Sequence, residues 1–483
     1  MDKKAVVIGG GMAGCEAAQI IASYGIDVDL YEQKPARFSP AHKSGGLAEL
    51  VCSNSLKASR LGSASGLLKE EMRLMGSLLV PAAEKTAVAA GGALAVDREL
   101  FSAAVTRAVS ENPRIRLHRE EVDTLSFDCP AVVATGPLTS DKMAEAIGRL
   151  TGEESLSFFD AAAPIVSAES VDRSVVFAAS RYGRGEDDYL NCPMNKEEYE
   201  AFFDALVHAE QAPRHDVDEK LKVYEGCMPI EVMARRGPDT IRFGPLKPVG
   251  LRDPRTGHRP WAVVQLRKEN AAGTMYNLVG FQTNLKWGEQ KRVFSMIPGL
   301  QNAEFVRYGV MHRNTFLNSP KLLGPDFRLL GDKTANPLWF AGQMTGVEGY
   351  MESAMSGLVA GHALAREMLG LAPFALPEET MCGALCRHVS TPNADFQPMG
   401  ANMGLLPPLP ERVRDKKLRY LQTAERAIDA LKAELSEKNF TGFFAASEAH
   451  LRQQAEEQAL RPSREEGSMP CNGVFTAERM RQR

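Results

Sequence analysis

Residues 4–32 read KAVVIGGGMAGCEAAQIIASYGIDVDLYE, and this stretch decides the fold. The apolar run at 4–8 predicts a buried strand. It leads directly into a G-x-G-x-x-G motif at 9–14, which is followed by a helical segment and a second strand at 26–31. This order of strand, glycine turn, helix and strand is typical of a unit that binds a dinucleotide cofactor.

Three glycines and one acidic residue of this unit have distinct expected roles. Gly9 permits the tight turn, Gly11 lets the backbone approach a pyrophosphate, and Gly14 lets the helix touch the strand. The pyrophosphate is expected at the helix N-terminus, and Glu32, at the end of the second strand, is expected to bind an adenosine ribose. The other candidate cofactor-binding residues of the motif are Gly10, Met12 and Ala13.

Two later glycine turns predict the rest of the cofactor site. The strand at 131–134 is followed by Gly136, and the buried strand at 338–343 is followed by a helix of small residues at 353–361. Such turns lie at the carboxyl edge of an open α/β sheet, where a cofactor binds. No second full G-x-G-x-x-G follows, which favours one tightly held FAD over a dissociable NAD. The candidate residues of these turns are Gly136, Gly342, Gln343, Gly346, Val347 and Tyr350.

Length and composition indicate a globular protein of two or three domains. The chain has 483 residues, of which 24% are charged and 44% hydrophobic, and no apolar run reaches the length of a membrane span. The N-terminal apolar run is too short for a signal peptide. We therefore expect a cytoplasmic protein without membrane contact.

The cysteines predict neither a disulfide scaffold nor a metal site. There are eight of them, scattered along a long chain. Cys382 and Cys386 lie close to His388, but no second pair with zinc-ligand spacing accompanies them. We expect these two cysteines to lie side by side in the core on a helix.

Positive charge is concentrated in one segment. The formal net charge is −4, yet residues 235–292 contain twelve Lys and Arg against four Asp and Glu, a local charge of +8. A localised basic face can bind a phosphate backbone whatever the overall charge. A basic surface that is merely solvated explains the same charge equally well.

The order of the segments predicts the domain organisation. We expect a Rossmann-type, glutathione-reductase-like FAD-binding domain of α/β class, with an inserted α+β domain and a C-terminal helical segment. Strands at 174–177 and 262–266 and a helix at 197–209 belong to the expected insert. The predicted ranges are 1–140 for the first part of the FAD domain, 141–325 for the insert, 326–436 for the return and the C-terminal helices, and 437–483 for a polar extension.

Six further segments, taken in order along the chain, resemble the folate- and FAD-dependent tRNA uracil-5-methyltransferases, a family related to the glucose-inhibited-division-type flavoproteins. The resemblance extends to about residue 436, with small departures such as Leu246 in place of an expected Met. The tail that follows lies outside the family pattern. The six segments are AELVCSNSL at 48–56, GGALAVDR at 91–98, YEGCMPIE at 224–231, FGPLKPVG at 243–250, GFQT at 280–283 and AGQMTGVEGY at 341–350.

The resemblance implies a reaction that needs a thiol. Carbon 5 of uracil is a poor nucleophile until a thiolate adds to carbon 6. The family uses two cysteines, which fall on Cys227, implied to attack the uracil, and on Cys52, implied to lie near the flavin as a base or a guard of the nucleophile. The implied product is 5-methyluridine in the T-loop of tRNA. The implied carbon donor is 5,10-methylenetetrahydrofolate, and NAD(P)H is implied to re-reduce the FAD.

Further candidates follow from the same resemblance, and each has a purely structural alternative. Tyr350 is a candidate to stack on the isoalloxazine or on a pterin, or is a packed core tyrosine. His312 and Trp287 are candidates to flank folate. The candidates to meet tRNA phosphates are Lys57, Arg235, Arg236 and Lys247.

Other functions stay open at this stage. The same chemistry on a ribosomal RNA fits these segments equally well. A larger relative that builds aminomethyl groups with a GTPase partner needs a longer C-terminal helical region than this chain offers. A flavin oxidoreductase of a small metabolite requires neither the basic segment nor the paired Cys52 and Cys227, and a non-catalytic flavin scaffold is the weakest alternative. We expect tRNA and folate as partners and infer no obligate protein partner.

Overall fold

The computed structural model describes residues 3–39, 41–152, 156–183, 186–212, 228–331, 333–373, 375–394 and 396–437. The strands of this part are β1 (Lys4–Ile8), β2 (Asp27–Tyr31), β3 (Ser55–Ala58), β4 (Ala87–Val88), β5 (Ala93–Val96), β6 (Ile115–His118), β7 (Ala131–Val133), β8 (Leu156–Ala161), β9 (Ile165–Ser167), β10 (Phe177–Ala178), β11 (Tyr189–Met194), β12 (Ala262–Lys268), β13 (Met275–Leu278), β14 (Phe305–Arg307), β15 (Met311–Phe316) and β16 (Leu338–Phe340).

Helices alternate with these strands in the first part of the chain and return at its end. They are α1 (Met12–Ser23), α2 (Ala64–Leu74), α3 (Leu79–Lys85), α4 (Arg98–Ser110), α5 (Asp141–Thr151), α6 (Lys196–His208), α7 (Ile230–Ala234), α8 (Pro238–Phe243), α9 (Trp287–Phe294), α10 (Ser319–Leu322), α11 (Tyr350–Leu369), α12 (Met381–Ser390) and α13 (Lys416–Glu437). Among the described helices, none is long and apolar enough to cross a bilayer.

A five-stranded parallel sheet forms the first layer, in the order β16-β7-β1-β2-β6. Its strands β1, β7 and β16 are short apolar runs that are mostly buried, as expected for a parallel sheet covered by helices. Because all five strands run the same way, their carboxyl ends meet along one edge. The predicted α/β fold is confirmed, and the predicted glycine turns lie at this edge.

Close helix packing supports that edge. A Cβ at Gly357 of α11 would overlap the backbone of Ala13 in α1, and one at Gly361 would lie 3.0 Å from the carbonyl oxygen of Ala17. The small-residue pattern at 353–361 therefore serves helix-to-helix contact, and both helices begin at the carboxyl edge of the sheet.

A second, antiparallel sheet has the order β10-β11-β12-β13-β9-β14. Its apolar core is separate from the first and includes Phe202, Phe281 and Phe294. Strands β8 and β15 pair antiparallel with each other. Along the chain, one precedes and the other follows the residues that form the second core. Residues of α5 and of 316–323 pack into the first core. Both groups lie within 141–325, the range predicted for the insert, and the domain boundaries at 141 and 325 remain predictions.

The strand predicted at 174–177 is wrong over most of its length, because β10 begins only at Phe177. The Asp172 carboxylate accepts hydrogen bonds from the Ser174 amide (2.9 Å) and hydroxyl (2.6 Å), and this local turn competes with strand pairing. The predicted helix at 197–209 is confirmed as α6, with Asn195 and Glu198 forming a capping box at its start.

The prediction that Cys382 and Cys386 lie together in the core on a helix is confirmed. Cys382 and Cys386 are buried and unbridged on α12. Within the described residues, no group of His, Cys, Asp or Glu has an arrangement that could hold a metal ion.

Two buried glutamates, Glu16 and Glu71, should make the free energy of unfolding depend on pH. Glu16 accepts hydrogen bonds from the amides of Leu78 (2.9 Å) and Leu79 (3.1 Å), and Glu71 accepts from the amides of Met381 and Cys382 (both 2.8 Å). Burial raises the pKa of each carboxyl to about 7.

Between pH about 4.5 and about 7, Glu16 and Glu71 therefore hold protons in the folded state that the unfolded chain has released. We expect the free energy of unfolding to fall as the pH rises from about 4.5 to about 7, and to level off above that. Urea unfolding at a series of pH values measures this slope, which Glu16→Gln/Glu71→Gln should flatten. An equally steep slope in the double variant would contradict the prediction.

Candidate active site

The glycine turn between β1 and α1 forms an open cradle. Gly9 has φ +104°, a conformation that favours glycine, and a Cβ at Gly14 would overlap the carbonyl oxygen of Gly9. A Cβ at Gly11, the residue before α1, would meet no atom within 4 Å. Gly9 and Gly14 therefore serve the packing of the turn, while Gly11 leaves space above the helix N-terminus for a ligand.

A cavity of about 1110 Å³, counted with the solvent at its mouth, extends from this cradle along the carboxyl edge of the parallel sheet. Most of the predicted cofactor residues line it: Gly9, Gly11, Met12, Ala13, Glu32, Gly136, Gly342, Gln343 and Tyr350. Its walls also include residues that the sequence did not single out, among them Lys34, His42, Glu49, Thr135 and Ser353.

Four predicted cofactor residues shape the site from behind the cavity wall. The Gly10 amide donates to Glu32, and Gly14 packs on Gly9. Gly346 has φ +85°, and a Cβ there would overlap the ring of Phe396. The fourth residue, Val347, is fully buried.

Glu32 stabilises the glycine turn through hydrogen bonds to two backbone amides, without any ligand. One carboxylate oxygen accepts from the Gly10 amide (2.8 Å) and the other accepts from the Lys34 amide (2.9 Å). The side chain is buried yet borders the cavity. Each carboxylate oxygen has a further lone pair, so Glu32 can hold the glycine turn and still accept from a ribose.

Cys52 lies against Tyr350, the first residue of α11. The Cys52 amide donates to the Tyr350 hydroxyl (2.8 Å), and the Cys52 sulfur lies 3.0 Å from the same oxygen. Burial raises the pKa of the Tyr350 phenol well above its usual range, so the phenol keeps its proton at neutral pH. A protonated phenol can donate to a thiolate, and because Tyr350 lines the cavity, the Cys52 thiol lies one hydrogen-bond distance from the cavity wall.

Arginines from both cores surround residues 50–54, which we call the Cys52 loop. Arg98 donates to the Leu50 carbonyl (2.6 Å) and forms an ion pair with the buried Glu269. Arg267 donates to the Asn54 side chain (2.9 Å) and to the Ser53 hydroxyl (3.0 Å). These contacts hold the Cys52 loop where the two cores meet.

Arg307 adds a third guanidinium, and its electrostatic neighbours include Cys52 and Tyr350. Burial lowers the pKa of both Arg267 and Arg307 and raises that of Glu269. Three guanidiniums thus face one carboxylate, and cations beside a cysteine favour its thiolate. Sequence reasoning missed this cluster: Arg98 ends one of the six segments, but Arg267 had only been counted as charge.

Comparison with known proteins adds to this geometry. A family model described as glucose inhibited division protein A matches residues 4–372. A methylenetetrahydrofolate--tRNA-(uracil-5-)-methyltransferase TrmFO of Desulforudis audaxviator is 57% identical over 440 residues, which are 91% of this chain and 99% of that protein. Its counterpart in Desulfitobacterium hafniense is 58% identical over 88% of this chain and 97% of its own length. The chain belongs to this methyltransferase family.

A solved structure agrees at the level of the fold. Aquifex aeolicus GidA, in its form II crystal, covers 95% of this chain with a TM-score of 0.66, at 16% sequence identity and over 76% of its own length. The resemblance to the methyltransferase family that the six segments indicate is therefore confirmed, and so is the glucose-inhibited-division type of fold.

Cys227, the second thiol expected in a member of this methyltransferase family, lies outside the described residues, which resume at Met228. The chain is firmly anchored directly after it. The Ile230 amide donates to the Gln282 carbonyl (2.7 Å), and the buried Glu231 carboxylate accepts from the Thr283 hydroxyl (2.9 Å).

The candidate RNA and folate residues are distributed over several elements. Lys57, with φ +63°, forms an ion pair (2.7 Å) with the buried Glu352 in the first turn of α11. Its ammonium group therefore lies beside the helix that carries Tyr350. Arg235 and Arg236 are exposed after α7, and Lys247 is half-buried.

The candidate folate residues lie near β14 and β15. Trp287 is 62% exposed and stacks on Tyr308, with ring centroids 5.6 Å apart, and Tyr308 stacks on Phe305 at 5.3 Å. Sequence reasoning found Trp287 but missed the two rings beneath it. His312 belongs to β15 by its backbone, and its side chain lies outside the described part of the structure.

The Tyr350 hydroxyl offers a direct test of the thiol geometry. We expect Tyr350→Phe to retain FAD but to lower turnover about 10- to 100-fold, because the Cys52 amide and sulfur lose a shared partner. The pH profile of Cys52 alkylation by iodoacetamide should shift to higher pH, since the thiolate loses a donor. An unchanged alkylation profile together with unchanged turnover would contradict this role.

Proposed function

We propose that this protein methylates carbon 5 of the T-loop uridine of tRNA, forming 5-methyluridine. The carbon donor is 5,10-methylenetetrahydrofolate, the resident cofactor is FAD, and NAD(P)H is the reductant. The observation that carries the proposal is the contact of Cys52 with Tyr350, a residue that lines the dinucleotide cavity. The relatives that match nearly the whole chain are methylenetetrahydrofolate-dependent tRNA uracil-5-methyltransferases by name, which supports the same reaction. These substrates imply a cytoplasmic protein.

The residues present fit FAD. The open space above Gly11 and the amides at the start of α1 suit the pyrophosphate, and Glu32 suits the adenosine ribose. Gln343 and Tyr350 line the wall, and Tyr350, which contacts Cys52, would face the reactive ring. When bound, FAD supplies the reducing equivalents of the transfer.

The two thiols have separate roles in this proposal. The Cys227 thiolate adds to carbon 6 of uracil, and the electron pair of the former double bond makes carbon 5 nucleophilic. Cys52, which lies beside Arg307 and the Tyr350 hydroxyl, is the base that removes the proton from carbon 5 after the new carbon is attached. Loss of that proton lets the electron pair expel the group that carried the new carbon. A hydride equivalent, which FAD would supply when bound, reduces this carbon to a methyl group, and departure of the Cys227 thiolate restores the carbon 5–carbon 6 double bond.

Nucleoside analysis tests this function. Purified protein, incubated with unmodified tRNA transcript, 5,10-methylenetetrahydrofolate and NADPH, should form 5-methyluridine at the T-loop position, and omission of either small molecule should abolish it. S-adenosylmethionine should not replace the folate. Methyl transfer from radiolabelled S-adenosylmethionine would overturn the proposal. Methylation of ribosomal RNA fragments in place of tRNA would support the alternative RNA target.

A further inference from the structure

An arginine stacked between two aromatic rings lies on the surface of the second core. The guanidinium carbon of Arg242, in α8, lies 3.7 Å from the ring centroid of Trp261 and 5.0 Å from that of Phe243. The Arg242 side chain also donates to the Trp261 carbonyl (3.1 Å) and pairs with Asp239 (3.5 Å). We call Arg242, Phe243 and Trp261 the aromatic platform; its central guanidinium is fixed by these contacts.

The two rings of the platform are exposed to solvent although they are apolar. Phe243 leaves 60% of its surface exposed and Trp261 leaves 37% exposed. Two large rings that contact the same guanidinium thus remain in water and forgo the free energy that burial would give them. An exposed apolar patch of this kind typically marks a binding surface.

The charge around the platform is positive. The Lys196 ammonium lies 5.8 Å from the Trp261 ring centroid. Arg235 and Arg236 are exposed just before α8, and Arg259 is exposed two residues before Trp261. Arg259 also shares a surface concavity with Arg252, His258 and Ser180. Three acids near this surface are each paired with a cation: Asp239 with Arg242, Asp253 with Arg255 and Glu200 with Lys196.

Planar rings among cations suit unpaired RNA. Bases that are splayed out of a loop stack on aromatic and guanidinium planes, and the phosphates between them meet lysine and arginine. An acidic protein would satisfy the cations, but an unpaired RNA strand brings a planar base and a phosphate with every nucleotide, which matches both the rings and the cations. The platform also lies on the chain segment that follows Cys227, where α7 is anchored by the Ile230–Gln282 hydrogen bond.

We propose that the aromatic platform stacks with unpaired bases of the RNA substrate, and that the arginines around it bind the adjacent phosphates. This inference rests on the proposed function and assigns it a second contact surface, made of residues other than those that contact Cys52. The platform binds the RNA without taking part in the transfer, so its loss weakens RNA binding more than it slows the step after binding.

The test separates stacking from charge. Fluorescence anisotropy with a 5′-fluorescein tRNA transcript should show about tenfold weaker binding for Phe243→Ala and for Trp261→Ala, with an unchanged dependence of affinity on salt. Arg259→Gln should instead reduce the slope of log affinity against log salt by about 1. Phe243→Tyr should restore binding, since it keeps a ring. With a fully paired RNA duplex as the probe, Phe243→Ala should bind like the wild type.

Controls keep the result interpretable. Leu371→Ala removes an exposed apolar side chain from the other core and should not alter binding. The thermal midpoint and flavin content of each variant show whether it is folded. If folded Phe243→Ala and Trp261→Ala bind tRNA like the wild type, or lose duplex binding equally, the platform proposal is wrong.

Two results would have other meanings. A platform effect on binding to phosphatidylglycerol vesicles, without an effect on RNA, would overturn the proposal in favour of a lipid surface. Failure of the wild type to methylate tRNA at all would overturn the proposed function itself, whereas methylation by wild type with no platform effect overturns only the platform.

Discussion

Gly11→Val should give a folded protein that no longer retains FAD, whereas Gly14→Val should fail to fold stably. A side chain at Gly11 meets no protein atom within 4 Å and enters the space where the pyrophosphate would lie. A side chain at Gly14 overlaps the Gly9 carbonyl oxygen and pushes α1 away from β1. We expect at least about 100-fold weaker FAD retention for the first variant, and a loss of about 3 kcal/mol of stability or more for the second.

Two measurements on each variant distinguish these effects. Flavin absorbance after gel filtration reports retention, and thermal unfolding of the flavin-free protein reports stability. Gly92→Ala is the matched control, since Gly92 is exposed, has space for a Cβ and lies away from the cavity lining. Stoichiometric FAD in Gly11→Val, or a wild-type melting temperature for Gly14→Val, would show that the roles of these glycines are assigned wrongly.

Alanine in place of either catalytic thiol should nearly abolish methylation. We expect Cys227→Ala to lose activity at least about 1000-fold, because carbon 5 is then never activated. Cys52→Ala should lose roughly 100- to 10,000-fold, the range expected when a positioned base is removed. Both variants should keep FAD, since the turn at 9–14 is unchanged. Cys129→Ser is the control, because Cys129 lines a groove apart from the cofactor cavity.

A 5-fluorouridine tRNA separates the two thiols. Fluorine cannot leave carbon 5 as a proton does, so the covalent adduct should be trapped after the carbon is transferred and should survive denaturation. Cys227→Ala should form no adduct, whereas Cys52→Ala should still form one if Cys52 acts only after attack. Peptide mapping of the cross-link to Cys52 would reverse the assignment, and the absence of an adduct in every form would exclude covalent catalysis.

Local sequence patterns predicted the cofactor half of the molecule well. The strand, glycine turn, helix and acidic terminus at 4–32 lie within one short stretch, so the sequence alone holds their geometry. The small residues at 353–361 likewise predicted a closely packed helix. Where a local turn competes with strand pairing, as at Asp172 and Ser174, the same patterns predicted a strand that the structure does not contain.

The contacts that make the site depend on residues far apart in the chain. Cys52 meets Tyr350 across 298 positions, and Asn54 meets Arg267 across 213. Residues 4–32 and the six segments were enough to predict the parallel α/β fold, the cradle and the family. The folded molecule was needed to show which hydroxyl contacts the Cys52 thiol, which arginines surround its loop and that Arg242 stacks on Trp261. The physical reason is that such contacts depend on how separate elements pack, and no local pattern encodes the distance between elements.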